Sequence, residues 1–283
     1  MEELEASVAR IPSRHRLVVA DSRFRPVLPP ESVHLVVTSP PYWNLKSYSE
    51  AQGQLAVIRD YGEFLDELDL VWKRCFDALV PGGRLVCVVG DVCLSRRRHG
   101  RHAVVPLHAS IQDRCRQIGF DNLAPIIWHK ITNAAYEARR PGTFLGKPYE
   151  PNSIVKNDIE FILSQRKPGR YRSPALTTRL LSLIPSQLYK TWFQQVWDDV
   201  RGASTKLHPA PYPLEIAERL VRMFSFVGDT VLDPFMGTGT TQLAAAMWAR
   251  NSIGVEVDSD YVQASIERLQ LQAAGDRPIE LLV

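Results

Sequence analysis

Short runs of Val, Ile and Leu recur along the chain at strand-like spacing, at residues 16–20, 33–38, 84–90, 123–128, 159–164, 230–232 and 252–257. Between several of them, apolar positions three and four apart mark helices, at 61–79, 103–118, 213–226, 240–249 and 259–272. Strand and helix alternate, and the strands read as continuous apolar runs. That pattern predicts an α/β fold with a mostly parallel sheet covered on both faces by helices. In such sheets ligands sit beyond the carboxyl ends of the strands. The alternation lapses at 131–206, where Pro141-Gly142, Lys147-Pro148, Glu150-Pro151 and Lys167-Pro168-Gly169 break any long element. One helical stretch, near 173–183, remains there. The region reads as an elaboration on the sheet, carrying loops or a small helical subdomain.

The 283 residues are 45% hydrophobic and 23% charged, ordinary globular values that exclude a disordered or collagen-like chain. Apolar runs stop far short of the ~18 residues that span a bilayer. The opening MEELEASVAR has acids where a signal peptide needs a basic start, so the expected compartment is the cytoplasm. Cys75, Cys87, Cys93 and Cys115 are too scattered for a disulfide framework and form no CxxC pair, so they read as reduced packing residues and no metal site is expected. Net charge is only +3, yet residues 131–206 hold 12 Lys and Arg against 6 Asp and Glu. A second basic cluster is Arg96-Arg97-Arg98-His99-Gly100-Arg101-His102. Either stretch suits a phosphate backbone, or equally a solvated loop.

Two predicted strand ends carry chemistry. The first is Asp233-Pro-Phe-Met-Gly237-Thr-Gly239-Thr240-Thr241, where glycines permit a tight turn and the following helix offers unpaired N–H groups. Without a Lys after Gly239 it is no P-loop, and with two glycines it is no dinucleotide fingerprint. Asp233 would repel a pyrophosphate and favours a cationic ligand group. Nearby, Glu256 ends a strand where an acid commonly accepts ribose hydroxyls. The second end is Thr38-Ser39-Pro40-Pro41-Tyr42-Trp43. Two prolines impose a rigid turn without donors and leave carbonyls exposed beside a hydroxyl and an aromatic pair. Such a corner suits gripping an amino group and stacking a planar ring, although a plain turn would use the same residues.

Together, Thr38-Ser-Pro-Pro-Tyr42 and Asp233-Pro-Phe-Met-Gly-Thr-Gly-Thr-Thr241 resemble the motifs of the S-adenosylmethionine-dependent DNA amino-methyltransferases, in the beta-group order with the catalytic motif first. The likeness spans nearly the whole chain. It implies a Rossmann-like methyltransferase fold with permuted motif order: a catalytic half at 1–130, a basic target-recognition insertion at 131–206 and a cofactor-binding half at 207–283. It implies S-adenosyl-L-methionine as cofactor, with Asp21 at the adenine, Glu256 at the ribose, and Thr38, Pro234, Phe235, His208, Asp233, Gly237, Gly239 and Thr240 around the rest. Ser39, Pro40, Pro41 and Tyr42 are the implied catalytic quartet. Ser in the first place of that quartet goes mostly with N4-cytosine methylation, and Asp with N6-adenine methylation. The implied partner is double-stranded DNA, contacted by Trp43, Lys130, Arg139, Arg140, Arg166, Arg170, Arg172 and Arg179. In a restriction-modification setting a cognate restriction endonuclease is the natural companion, with the chain a monomer or homodimer. Where members of the family often have a His-Glu pair before a late strand, this chain has Asn157-Asp158-Ile-Glu160. C5-cytosine chemistry is set aside, because it needs a nucleophilic cysteine, typically after a proline, and none of the four cysteines follows one. Methyl transfer to adenine, to RNA or to a protein amide, and a non-catalytic DNA-binding role, remain the alternatives.

Overall fold

The computed structural model describes residues 2–43, 53–130, 155, 157–202, 212–273 and 278–282. Its strands are β1 (His15–Val19), β2 (Val33–Thr38), β3 (Leu79–Val89), β4 (Val92–Leu94), β5 (Ala103–Val105), β6 (Asp121–His129), β7 (Ile159–Arg166), β8 (Val196–Trp197), β9 (Thr230–Asp233), β10 (Asn251–Glu256) and β11 (Ile279–Leu282). Its helices are α1 (Glu2–Ala9), α2 (Tyr61–Ala78), α3 (Arg96–His99), α4 (Leu107–Ile118), α5 (Leu176–Leu181), α6 (Ser186–Trp192), α7 (Leu214–Phe224), α8 (Thr240–Met247) and α9 (Ser259–Gln272).

One sheet runs β11-β1-β10-β9-β2-β3-β7-β6-β8, and β4 pairs with β5 in a separate hairpin. From β11 through β3 neighbouring strands are parallel, and β7 alone opposes its neighbours. The apolar runs explain the parallel part. Leu35, Val36, Val37 and Thr38 of β2 are all fully buried, because both faces are covered. On one face Val33, Val36, Leu85, Cys87 and Val89 meet α2 and α4; on the other Leu35, Val37, Val86 and Val88 meet α7, α8, Trp128 and Trp197. α2 buries Phe64, Leu65, Leu68, Val71, Trp72 and Cys75 at helical spacing, and Asp60 caps its start by accepting from the Glu63 N–H at 2.9 Å. Each such large side chain contributes about 1.5 to 3 kcal/mol by leaving water. The cysteines are unpaired, and burial pushes the Cys75 thiol up to about 12, so it packs as an inert hydrophobe.

Two expectations need correcting. Residues 103–118 are not one helix: Val104 and Val105 extend as β5, and Pro106, which lacks an N–H, opens α4 after them. Nor is 131–206 a mere elaboration. β7 lies inside the main sheet between β3 and β6, with Leu163 fully buried and Ile162 nearly so, and β8 adds its edge.

Candidate active site

β2 and β9 are neighbours with Leu35 opposite Val231 and Val36 opposite Leu232, so the diproline corner and the glycine turn leave the sheet side by side. A knot of side chains fixes the junction. Asp233 Oδ1 accepts from Thr38 Oγ1 at 2.7 Å and from the Phe235 N–H at 3.0 Å, while Oδ2 accepts from Thr241 Oγ1 at 2.6 Å. One carboxylate thus joins the end of β2, the end of β9 and the first turn of α8. It is 1% exposed, and burial pushes its pKa up to about 6 even against those donors.

Above the knot opens a cleft whose lining includes Ser39, Pro41, Pro234, Phe235, Gly237 and Glu256. Gly237 turns with φ 51° and Gly239 with φ 77°, backbone that L side chains rarely adopt. A Cβ on Gly239 would also stand 2.0 Å from Ser265 Oγ. Glu256 steadies the turn by accepting from the Gly237 N–H at 2.9 Å, and it accepts from Val257 and Asp258 N–H at 3.0 and 3.1 Å. Burial raises its pKa above the ordinary carboxylate range. Asp21, just past β1, lines the same cleft and is gripped by Arg23, whose Nε lies 2.9 Å from Asp21 Oδ1. Carboxylates, an open glycine turn and the apolar walls of Leu55, Val257 and Tyr261 make a cleft for a planar ring on a cationic molecule, not for a phosphate.

The corner is braced from behind. Tyr42 is 7% exposed, and a Cβ on Gly90 would stand 3.4 Å from its ring and 3.2 Å from Glu160 Cγ. Glu160 in turn pairs with Lys130, whose ammonium lies 5.0 Å from the Trp128 ring. Lys130 therefore sits at the corner's end of the sheet, held by a carboxylate.

Residues 33–267 match the DNA methylase family of N6 and N4 methyltransferases. The chain belongs to this family. Among its relatives, the type II methyltransferase M.MjaI of Methanocaldococcus jannaschii is 36% identical over 279 residues, covering 88% of this chain and 88% of that one. M.MthZI of Methanothermobacter thermautotrophicus is 34% identical over 87% of this chain and 74% of its own length. Among solved structures, a DNA modification methylase of Thermus thermophilus complexed with S-adenosyl-L-methionine superposes with a TM-score of 0.79 at 53% identity, covering 95% of this chain and 98% of that one. PvuII DNA methyltransferase (cytosine-N4-specific) shares the fold, with a TM-score of 0.62 at 20% identity over 95% of this chain and 96% of its own. The expected Rossmann-like methyltransferase fold is the one observed, and the chain is a DNA methyltransferase that uses S-adenosylmethionine.

Within this methylase the implied cofactor residues divide. Asp21, Pro234, Phe235, Gly237 and Glu256 line the cleft, whereas Thr38, Asp233, Gly239 and Thr240 lie beneath it, with Thr38 and Asp233 bonded to each other. The buried Asp233 carboxylate, satisfied by three donors, faces the protein. Thr240 Oγ1 instead accepts from Arg268 at 3.0 Å. Trp43, expected at DNA, is 9% exposed and packs edge-on against Tyr61 with ring centroids 5.1 Å apart. The basic candidates move further. β7 runs opposite to β3, so Arg166 stands across from Arg84 while Phe161 stands across from Val89, near the corner. Five residues of strand put Arg166 about 16 Å from the cleft's end of the sheet. There Arg166 holds Asp121 at 2.6 Å and Arg172 holds the buried Asp229 at 2.5 and 2.7 Å. Exposed Arg170 follows Arg166 at that far end, where a Cβ on Gly82 would stand 3.1 Å from its carbonyl. Arg179 is exposed on α5, which adjoins that end because Ser182 Oγ accepts from the Val227 N–H at 2.9 Å. Arg139, Arg140 and His208 lie outside the described residues. Gly53, Gln54 and Tyr261 line the cleft and were missed; only Tyr261, in the first turn of a helix after Glu256, had a signal in its position.

Proposed function

We propose that this methylase transfers a methyl group from S-adenosylmethionine to the exocyclic N4 amine of a cytosine flipped out of duplex DNA. The observation that carries the reading is that Ser39 and Pro41 line the same cleft as Gly237 and Glu256. Asp21, Glu256 and the turn at Gly237 hold the cofactor, which supplies an activated methyl on a sulfonium. Asp233 acts from below as a fixed negative charge and as the clamp that keeps the two strand ends in register. The cytosine amine is a poor nucleophile, because its lone pair is delocalised into the ring. Ser39 Oγ and the Pro40 carbonyl accept its two hydrogens and draw the nitrogen toward a tetrahedral shape, in line with the methyl. The nitrogen would bond to the methyl carbon as the carbon–sulfur bond of the donor breaks and its electron pair stays on sulfur, leaving a neutral thioether; the surplus proton would pass to water, with no covalent bond to the protein. Tyr42, buried behind the corner, braces the turn that Ser39 and Pro41 present to the base, and contacts along the DNA backbone offset part of the cost of flipping.

The test is to methylate duplex DNA, digest it to nucleosides and identify the product by mass. N4-methyldeoxycytidine is expected. N6-methyldeoxyadenosine as the sole product would refute the cytosine assignment, and methyl transfer to RNA in preference to duplex DNA would refute the substrate.

A further inference from the structure

Immediately past β3, at the cleft's end of the sheet, the chain enters the β4–β5 hairpin, whose tip carries Arg96, Arg97, Arg98 and Arg101 within six residues. The base of this hairpin is fixed beside the diproline corner. A Cβ on Gly90 would crowd both Tyr42 and Glu160. Asp91 lies 2.6 Å from His108 Nδ1 and accepts from the His108 N–H at 3.3 Å. The His108 ring stacks on Phe161 with centroids 3.8 Å apart, and Asn157 Nδ2 donates to the Asp91 carbonyl at 3.4 Å. At the tip, α3 closes on Gly100 with φ 72°, whose N–H bonds the Arg96 carbonyl at 2.9 Å.

Arg96, Arg97 and Arg101 are exposed, and none forms an ion pair among the described residues. Arg114, Arg166, Arg172, Arg219 and Arg222, by contrast, each hold a carboxylate. Clustered guanidinium groups without a carboxylate partner among the described residues repel one another, and their forked donors match phosphate oxygens. A base held by Asp91, His108 and Phe161 puts the hairpin at the same end of the sheet as the catalytic corner. We infer that this hairpin tip is a phosphate-binding arm that grips the DNA backbone beside the cleft. The inference rests on duplex DNA being the substrate. It places the electrostatic grip on the hairpin and not on the arginines at the far end of the sheet.

The test compares binding of a duplex oligonucleotide between 50 and 200 mM salt. Each lost phosphate contact flattens the slope of log affinity against log salt by about 0.9, so three flatten it by about 2.7 and shrink the loss over that range about 40-fold. The triple variant Arg96→Gln, Arg97→Gln, Arg101→Gln is expected to show that change with wild-type affinity for S-adenosylmethionine, which reports an intact fold. The double variant Arg170→Gln, Arg179→Gln, at the other end, is expected to keep the wild-type slope. A triple variant with the wild-type slope, or a double variant flattened as much, overturns the arm while leaving the DNA reading in place. A wild-type protein whose DNA affinity ignores salt overturns both.

Discussion

Replacing Asp233 by Asn is expected to stabilise the cofactor-free methylase at neutral pH. Its carboxyl is 1% exposed, and burial raises its pKa from 3.8 to about 6. Because the folded state holds this proton more tightly than the unfolded chain, the stability it contributes is present below pH 4. That stability is lost as pH rises through about 6. A shift of that size corresponds to about 3 kcal/mol at pH 7. Asn has no proton to release. Its carbonyl still accepts from Thr38 and the Phe235 N–H, and the Thr241 hydroxyl can turn its proton to the Val37 carbonyl, 3.2 Å away, and accept from the new amide. For a chain of this length 3 kcal/mol raises Tm by roughly 5 °C. Calorimetric unfolding of both proteins between pH 4.5 and 8, without cofactor, measures the effect. The gap should open from about 1 kcal/mol at pH 4.5 to about 3 kcal/mol above pH 7. A gap that stays constant with pH, or an Asn variant that is less stable at pH 7, would show that the carboxylate is not strained by its burial.

Ser39→Ala removes one of the two proposed acceptors for the amine, so turnover should fall by about 100-fold or more while calorimetry finds cofactor affinity within about twofold of wild type. Near-wild-type rates would exclude Ser39 from the chemistry. Glu256→Ala leaves the Gly237 N–H without its acceptor and removes a wall of the cleft, and the cofactor dissociation constant should rise about tenfold or more. Arg172→Ala takes the guanidinium from the buried Asp229, leaving it the Phe226 N–H at 2.8 Å, and should cost about 2 kcal/mol of stability without changing DNA affinity in a gel-shift assay. Weaker DNA binding by that variant would return the far end of the sheet to consideration.

Much of this architecture was legible in the residue order. The β2 and β9 ends could be read because Pro-Pro and Gly-x-Gly punctuate continuous apolar runs, and backbone constraints of that kind act locally. The inward aim of Asp233 could not be read, because it depends on the hydroxyls of Thr38 and Thr241, one of them on a strand 195 residues away. Residues 159–164 were legible as a strand but not as an antiparallel one, and that direction alone sends Arg166 away from the cleft. Likewise Val104 and Val105 fit a helical apolar pattern until β4 supplies a partner edge. Long-range pairing decides such cases, and it leaves no mark at short spacing.

β1 is flanked on one side by β10 and on the other by β11, with His15 opposite both Ser252 and Ile279. During synthesis, then, β1 has no neighbour to bond until Asn251–Glu256 has emerged, and Asp21 cannot take its place near Glu256 before that. Any message cut short upstream of residue 251 yields a product whose cleft lacks Val255, Glu256, Val257 and Tyr261, so truncated copies of this methylase should be inert and not partially active. For an enzyme that marks a genome, synthesis past β10 thereby becomes the condition for any marking at all.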